Sequence, residues 1–272
     1  MAFLKEMKPE HGPVLPVIGN IARIVADNPS VMTYHGTNTY LIAIGDRFAI
    51  LDPGPNDAAH VDAILAATDG RIDDIVFSHA HWDHVGALTR LLAATGATVH
   101  GFRQPEGSEF APDVVVADGD IVLGMTAIHT PGHAADHLCF ARPDGILFSA
   151  DHVMGWSSSI VSPPGGNMAD YFASLKRLQA RDDAVYLPGH GPMIPDPYPY
   201  VADLLRRRQE REREIEISLR THPRTASELV SLFYKKNNVR LLAAAERNVL
   251  AHLDKLAREG AVRQDGNRWC VV

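Results

Sequence analysis

The sequence predicts an α/β sandwich of mixed β-sheets followed by a small helical module, and three observations carry that expectation. From Thr39 to Pro188, short apolar runs rich in β-branched residues alternate with helix-like stretches. Some neighbouring runs are joined by hairpin dipeptides, Gly45-Asp46 and Asp144-Gly145, and others by helices, so antiparallel and parallel pairs must coexist. The charge also divides: residues 1–198 hold 11 Lys and Arg against 23 Asp and Glu, while residues 199–272 hold 15 against 10. An acidic body with a basic tail implies two parts.

The elements follow in order. "TYLIAIGDRFAILD" (39–52) is two strands, and "PGPNDAAHVDAILAAT" is a helix capped by Asn56 or Asp57. "IDDIVFSH" (72–79) is a buried-type strand, and "VGALTRLLAAT" a helix closed by Gly96. "ATVHGF" and "DVVVADGDIVLGMTAIHT" give further strands, "DHLCFARPDGILFSAD" a hairpin, "NMADYFASLKRLQAR" a helix capped by Asn167, and "AVYLP" a strand. In the tail, "PYVADLLRRRQEREREIEISLR" is a long helix laced with Glu and Arg at three- and four-residue spacings. His222-Pro223 breaks it, Thr225 and Glu228 form a capping box, an amphipathic helix runs to Gly260, and a hairpin around Asp265-Gly266 closes the chain. Helix, helix, hairpin is the layout of a winged helix. The parts are therefore 1–197, a catalytic body; 198–221, a linking helix; and 222–272, a winged-helix-like module.

At 272 residues, 46% hydrophobic and 22% charged, the chain has the composition of an ordinary folded protein. Cys139 and Cys270 cannot build a disulfide framework, which points to a reducing compartment. With no secretory h-region and no membrane-length apolar run, the expected location is cytoplasmic, without membrane contact.

The chemistry concentrates in "SHAHWDHVG", residues 78–86. If 72–79 is a strand, His79 and His81 project the same way from its C-terminal end, and Asp83 and His84 lie on the turn into the next helix. Imidazole and carboxylate together suit Zn²⁺ and related divalent ions. Three more metal-capable side chains follow strands: His133 in "HTPGHAADH", Asp151 in "LFSADHV" and His190 in "YLPGHGP". Both His133 and His190 follow Pro-Gly, where the backbone can approach closely. Five histidines and two aspartates suffice for two ions sharing one carboxylate and a water.

With Asp52 ahead of these motifs, all in order at workable spacings, residues 35–195 resemble the metallo-β-lactamase-fold hydrolases. The resemblance implies a four-layer αββα sandwich with its metal site at one edge. It further implies that His79, His81 and His133 hold one metal, that Asp83, His84 and His190 hold the second, and that Asp151 bridges them. "GTNTYLI", "TPGHAADHL", "SLKRL", "PGHGP" and the tail are similar to the β-lactamase-like hydrolases with a C-terminal winged-helix module, a group that includes a mitochondrial endoribonuclease.

The expected function is a dinuclear metal-dependent hydrolase: a water bridging two divalent ions (Zn most of all, with Mn or Fe as alternatives) loses its proton near neutral pH and attacks an ester, thioester, lactam or phosphodiester. Asp83 and Asp151 are the expected catalytic carboxylates, and Asp52 is expected to orient a ligand histidine through a hydrogen bond. Asp136 and His137 either line the site or satisfy loop backbone; His152 faces the pocket or the core. His35, His100, His129, His222 and His252 are read as isolated structural imidazoles. Tyr34 is a candidate pocket wall by resemblance, and the loop "GWSSSIVSPPGGN" can reach across the mouth with Trp156 as substrate contact or packing anchor. The partner is a small-molecule substrate or single-stranded RNA, the latter held by Lys235, Lys236, Arg240, Arg247 and Arg258, and the tail is also a candidate homodimer surface. The competing functions are an endoribonuclease, a promiscuous β-lactamase and a metal-bound regulator with a DNA-binding tail.

Overall fold

Two β-sheets lie face to face in this computed structural model, which describes residues 3–104, 108, 110–234 and 239–272, with side chains at 239 and 240 left aside. The first sheet runs in chain order: β1 (Leu15–Ile18), β2 (Ile21–Val25), β3 (Asn38–Ile44), β4 (Arg47–Leu51), β5 (Ile72–Val76), β6 (Thr98–Gly101) and β7 (Val114–Val115). Pairing is antiparallel through β4 and parallel from β4 to β7. The second sheet comprises β8 (Ile121–Val122), β9 (Met125–His129), β10 (Leu138–Ala141), β11 (Ile146–Ala150), β12 (Val185–Pro188) and β13 (Ile194–Pro195), with β11 and β12 parallel.

Apolar alternation decides the layers. Tyr40, Ile42, Leu51 and Val76 from the first sheet meet Ala127, Leu138, Phe140 and Phe148 from the second in one buried cluster. The opposite face of the first sheet, including Leu41, Ile50 and Ile75, is covered by α1 (Ala58–Thr68) and α3 (Leu88–Thr95) through Val61, Ile64 and Leu91. The outer face of the second sheet is covered by α4 (Met168–Gln179) and α5 (Pro197–Thr221) through Tyr171, Leu175, Val201 and Leu204. The architecture is a four-layer αββα sandwich. Asp57 caps α1 by accepting from His60 N, Asn167 caps α4, and Gly96 ends α3 in the left-handed region.

The C-terminal module packs α6 (Ala226–Phe233) and α7 (Val239–Arg258) against the hairpin β14 (Val262–Asp265) and β15 (Arg268–Val271). The capping box of Thr225 and Glu228 is formed. The linking helix is no simple spacer: its first half is buried in the sandwich core, and Ile215 and Leu219 are buried in the module's own core. Between them lies a polar seam. Arg208 and Asn248 hydrogen-bond at 2.9 Å, and Glu212 holds both His252 at 3.0 Å and Lys255 at 2.6 Å.

Two segments differ from expectation. β1 and β2 form an additional hairpin around Gly19-Asn20, a turn dipeptide inside an otherwise ambiguous apolar run. β5 ends at Val76 rather than at residue 79, because Ser78 turns its amide away from the sheet to the Asp52 carboxylate. Cys139 and Cys270 are free, and no helix of the described residues is long and apolar enough to cross a membrane.

His60, on the buried face of α1, shares a 2.8 Å hydrogen bond with Thr39 Oγ1, and burial lowers its pKa to about 4 although Asp57 pulls the other way. It is neutral when folded and titrates near 6.5 when unfolded, so its stabilisation is present above 6.5 and lost as pH falls toward 4. Chemical denaturation across pH 7 to 4 is expected to show a shallower loss of stability for His60→Gln than for the parent protein.

Candidate metal centre

The site forms where strand ends of both sheets meet. Asp52 follows β4, residues 78–81 follow β5, His133 follows β9, Asp151 follows β11 and His190 follows β12. Main-chain bonds stitch the sheets together here: Asn38 N donates to Gly189 O at 2.7 Å and Leu138 N to Ser78 O at 2.7 Å. His79 and His81 lie in the loop after β5, and Asp83 and His84 on the one-turn helix α2 (Trp82–Val85). That turn reverses the chain after His81, so four side chains of one segment converge.

The structure brings all seven candidate ligands together. His79, His81 and His133 form one group of donors; Asp83, His84 and His190 form another; His79, His84 and Asp151 overlap both, with donor atoms in each group within 4.8 Å of one another. His81 Nδ1 stands 2.9 Å from His79 Nε2 and 3.0 Å from His133 Nε2. Asp151 faces both ways: its Oδ1 lies 3.5 Å from His84 Nε2 and 3.4 Å from His190 Nε2, and its Oδ2 lies 3.7 Å from His133 Nε2. Asp83 Oδ2 is 3.4 Å from His190 and 3.8 Å from His84.

A second layer of bonds aims these rings. Asp52, fully buried, accepts from Ser78 N at 2.7 Å and Ser78 Oγ at 2.8 Å, and holds His84 Nδ1 at 2.9 Å. Its backbone takes a positive φ of 55°, as does Ala150 before Asp151 at 41°. His133 Nδ1 is 2.6 Å from Ile160 O, which leaves Nε2 for the centre. Asp136 holds loop backbone, accepting from Ala80 N at 2.9 Å and from Gln104 at 2.7 Å. His137 is buried behind His79, bonded to Thr130, and His152 is buried between His137 and Tyr171.

Electrostatics divides the cluster. Burial keeps His79 well below the usual imidazole pKa, and burial with the neighbouring His133 and His84 lowers His81 to about 4. Burial opposes charge on His84 too, but Asp151, Asp52 and Asp83 outweigh it and raise its pKa well above the usual range. His190 rises to about 9 by the same contest, with Asp151 foremost. For Asp83 burial opposes ionisation, yet His84 and His190 win and hold it at about 2. His79 and His81, kept neutral, and the ionised Asp83 already stand in the protonation states that bind divalent ions, whereas His84 and His190, which the carboxylates hold protonated, would each give up a proton to an ion. His84 Nε2 and Asp151 Oδ1 are moreover buried without a hydrogen-bond partner. The donor separations match pairs held about 2.1 Å from one ion. The residues fit divalent metal.

His81, Asp83, His133, Asp151 and His190 floor a cleft of about 1160 Å³ walled by Met32, Trp82, Phe102, Met154, Ile160 and Pro163. Tyr34 is set back from it, stacked on Trp156 at 4.8 Å, so the pair anchors a loop rather than meeting substrate. The loop after Asp151 does reach the mouth, through Ile160 to Gly166. It is fastened by Arg208, which bonds Ser159 O, and by Asn248 Oδ1, which accepts from Val161 N at 3.0 Å. Sequence reasoning missed Asn248, Arg208 and Gln104, whose partners lie tens of residues away. His100 pairs with Asp74, His129 stacks on Phe102 and His252 pairs with Glu212. Of the basic residues offered for RNA, Lys235, Lys236 and the side chain of Arg240 lie outside the described residues. Arg258 lies on α7 beside Pro163 and Met168, and Arg247 lines the cleft. Much of the tail's remaining positive charge is neutralised locally, as in Arg206 with Asp203 and Glu210, Arg211 with Glu214, and Arg220 with Glu216.

A mixed-sheet αββα sandwich with five histidines and two aspartates gathered at its strand ends is a metallo-β-lactamase fold, and the chain belongs to the metallo-β-lactamase superfamily. The superfamily model matches residues 32–106, and a β-lactamase-associated winged helix domain matches residues 225–269. A β-lactamase-like protein 2 homolog of Drosophila melanogaster is 30% identical over 275 residues, covering 92% of each chain. An atrochrysone carboxyl ACP thioesterase of Aspergillus novofumigatus is 29% identical, covering 90% of this chain and 81% of that one. The crystal structure of a β-lactamase domain protein from Burkholderia ambifaria superimposes with a TM-score of 0.83 at 19% identity, covering 98% of this chain and 96% of that one.

Gly189 explains one Pro-Gly-His motif. A Cβ there would lie 2.5 Å from Asp151 Oδ1 and 2.7 Å from His84 Cε1. Gly189→Ala removes no donor, yet it is expected to cut bound metal after dialysis to below about half of the parent content, by displacing Asp151 and His84. Elemental analysis reads the result.

Proposed function

We propose that this protein is a metal-dependent hydrolase with two divalent ions per chain, and that its substrates are thioesters or related activated esters. The bidirectional Asp151 carboxylate carries the reading, since one group reaching two donor sets suits a shared ligand. His79, His81 and His133 would hold the first ion, and Asp83, His84 and His190 the second, with zinc favoured by the imidazole-rich set. Divalent ions in such a set supply an activated water and Lewis-acid polarisation of the scissile carbonyl.

The chain's own groups do the rest. Asp52 fixes the His84 ring, and the Ile160 carbonyl fixes His133. Asp83 lines the cleft as an ionised carboxylate, placed to orient the attacking water and return a proton to the leaving group. The apolar walls take an acyl group of substantial size. The preference for thioesters draws support from the relative named as an ACP thioesterase. We assign residues 1–197 to the catalytic body, 198–221 to the linking helix and 222–272 to the winged-helix module.

Elemental analysis of purified protein is expected to give close to two divalent ions per chain, and Asp151→Ala to lose metal and thioester hydrolysis together, the latter by at least about 100-fold. Active protein without metal, or full activity in Asp151→Ala, would sink the proposal.

A further inference from the structure

The cleft floor is rich in carboxylate, but its rim is cationic. Apart from Asp83, Asp136 and Asp151, the charged side chains of the lining are Arg103 and Arg247, both exposed. Neither has an ion-pair partner among the described residues. Among the described residues, the one hydrogen bond of Arg247 is a long 3.4 Å contact to Pro163 O. The contrast with α5 is plain, for there Arg206, Arg211 and Arg220 are matched by carboxylates one turn away. Arg247 sits on α7, so the C-terminal module supplies part of the cleft wall. Its helix is locked in place by Asn248, which bonds both Val161 N and Arg208. An unmatched guanidinium on a fixed helix at a cleft mouth is a ready site for an oxyanion.

We propose that Arg247 is a specificity-determining residue that binds a phosphate on the long arm of the substrate as that arm leaves the cleft, with Arg103 as a second cation on the rim. The inference rests on the thioester reading and narrows it to phosphate-bearing thiol arms, either free as in coenzyme A or carried on a protein. The winged-helix module then acts as the substrate-selecting wall of the active site.

Equilibrium binding tests this apart from turnover. S-hexyl-coenzyme A, a thioether that cannot be hydrolysed, is titrated into metal-loaded parent protein, Arg247→Ala and Arg247→Lys, beside the neutral S-hexyl-N-acetylcysteamine. Arg247→Ala is expected to weaken the coenzyme A thioether about tenfold more than the neutral one, Arg247→Lys to recover part of the loss, and added salt to shrink the difference. Equal weakening of both probes would mean a packing role and overturn the proposal. So would a parent protein with no preference for the phosphate-bearing probe, or an Arg247→Ala protein that loses affinity only for a short RNA oligonucleotide titrated alongside. If the binding difference holds while no thioester is hydrolysed, the thioesterase reading falls and the anion subsite stands. Hexanoyl-coenzyme A and a hexanoyl-phosphopantetheinyl carrier protein, compared as substrates, distinguish the two sources of the phosphate.

Discussion

The buried carboxylate of Asp52 is the constraint on which the metal centre depends. It ends one strand, captures the amide and hydroxyl of Ser78 at the end of the next, and reaches the ring of His84. A carboxylate in the interior is tolerable only when its oxygens are met by donors, and here three donors meet it. In satisfying that demand the chain must leave the sheet after Val76, turn at Ser78 and present His79, His81, Asp83 and His84 to one point. The ligand cluster is thus a consequence of solving a buried-charge problem at the sheet edge.

The second sheet answers with Asp151 and His190 at the ends of the parallel pair β11 and β12, and tight approach at Gly189 lets their loops interlock. The linking helix contributes to both hydrophobic cores, and the Arg208–Asn248 pair holds the loop whose Ile160 carbonyl orients His133. Body and tail are therefore mechanically one around the site. Removing the module would disturb His133 as well as any ligand contact, so truncation cannot separate the two roles.

Most of the sandwich and all seven candidate ligands were legible in the sequence, because strand periodicity is local and the histidines are grouped or follow Pro-Gly. The strand through residue 79 was misplaced because its end is decided by Asp52, 26 residues earlier. The first hairpin was overlooked although Gly19-Asn20 marks it. Asn248 and Arg208 left no signal, since an amide or guanidinium inside a helix looks like solvated surface until its partner, 87 residues from Asn248 and 49 from Arg208, is placed beside it. The net positive charge of the tail pointed toward nucleic acid, but helical ion pairs absorb much of it.

Trp82, the residue between His81 and Asp83, is 63% exposed on the cleft wall, whereas Trp269 is 5% exposed and Trp156 is stacked on Tyr34. An indole in water emits at longer wavelength than a buried one, so the red edge of the protein's fluorescence belongs to the mouth of the site. The chain carries its own optical gauge: a ligand that covers that ring as it enters the cleft dries or quenches it, and reports its arrival without a label.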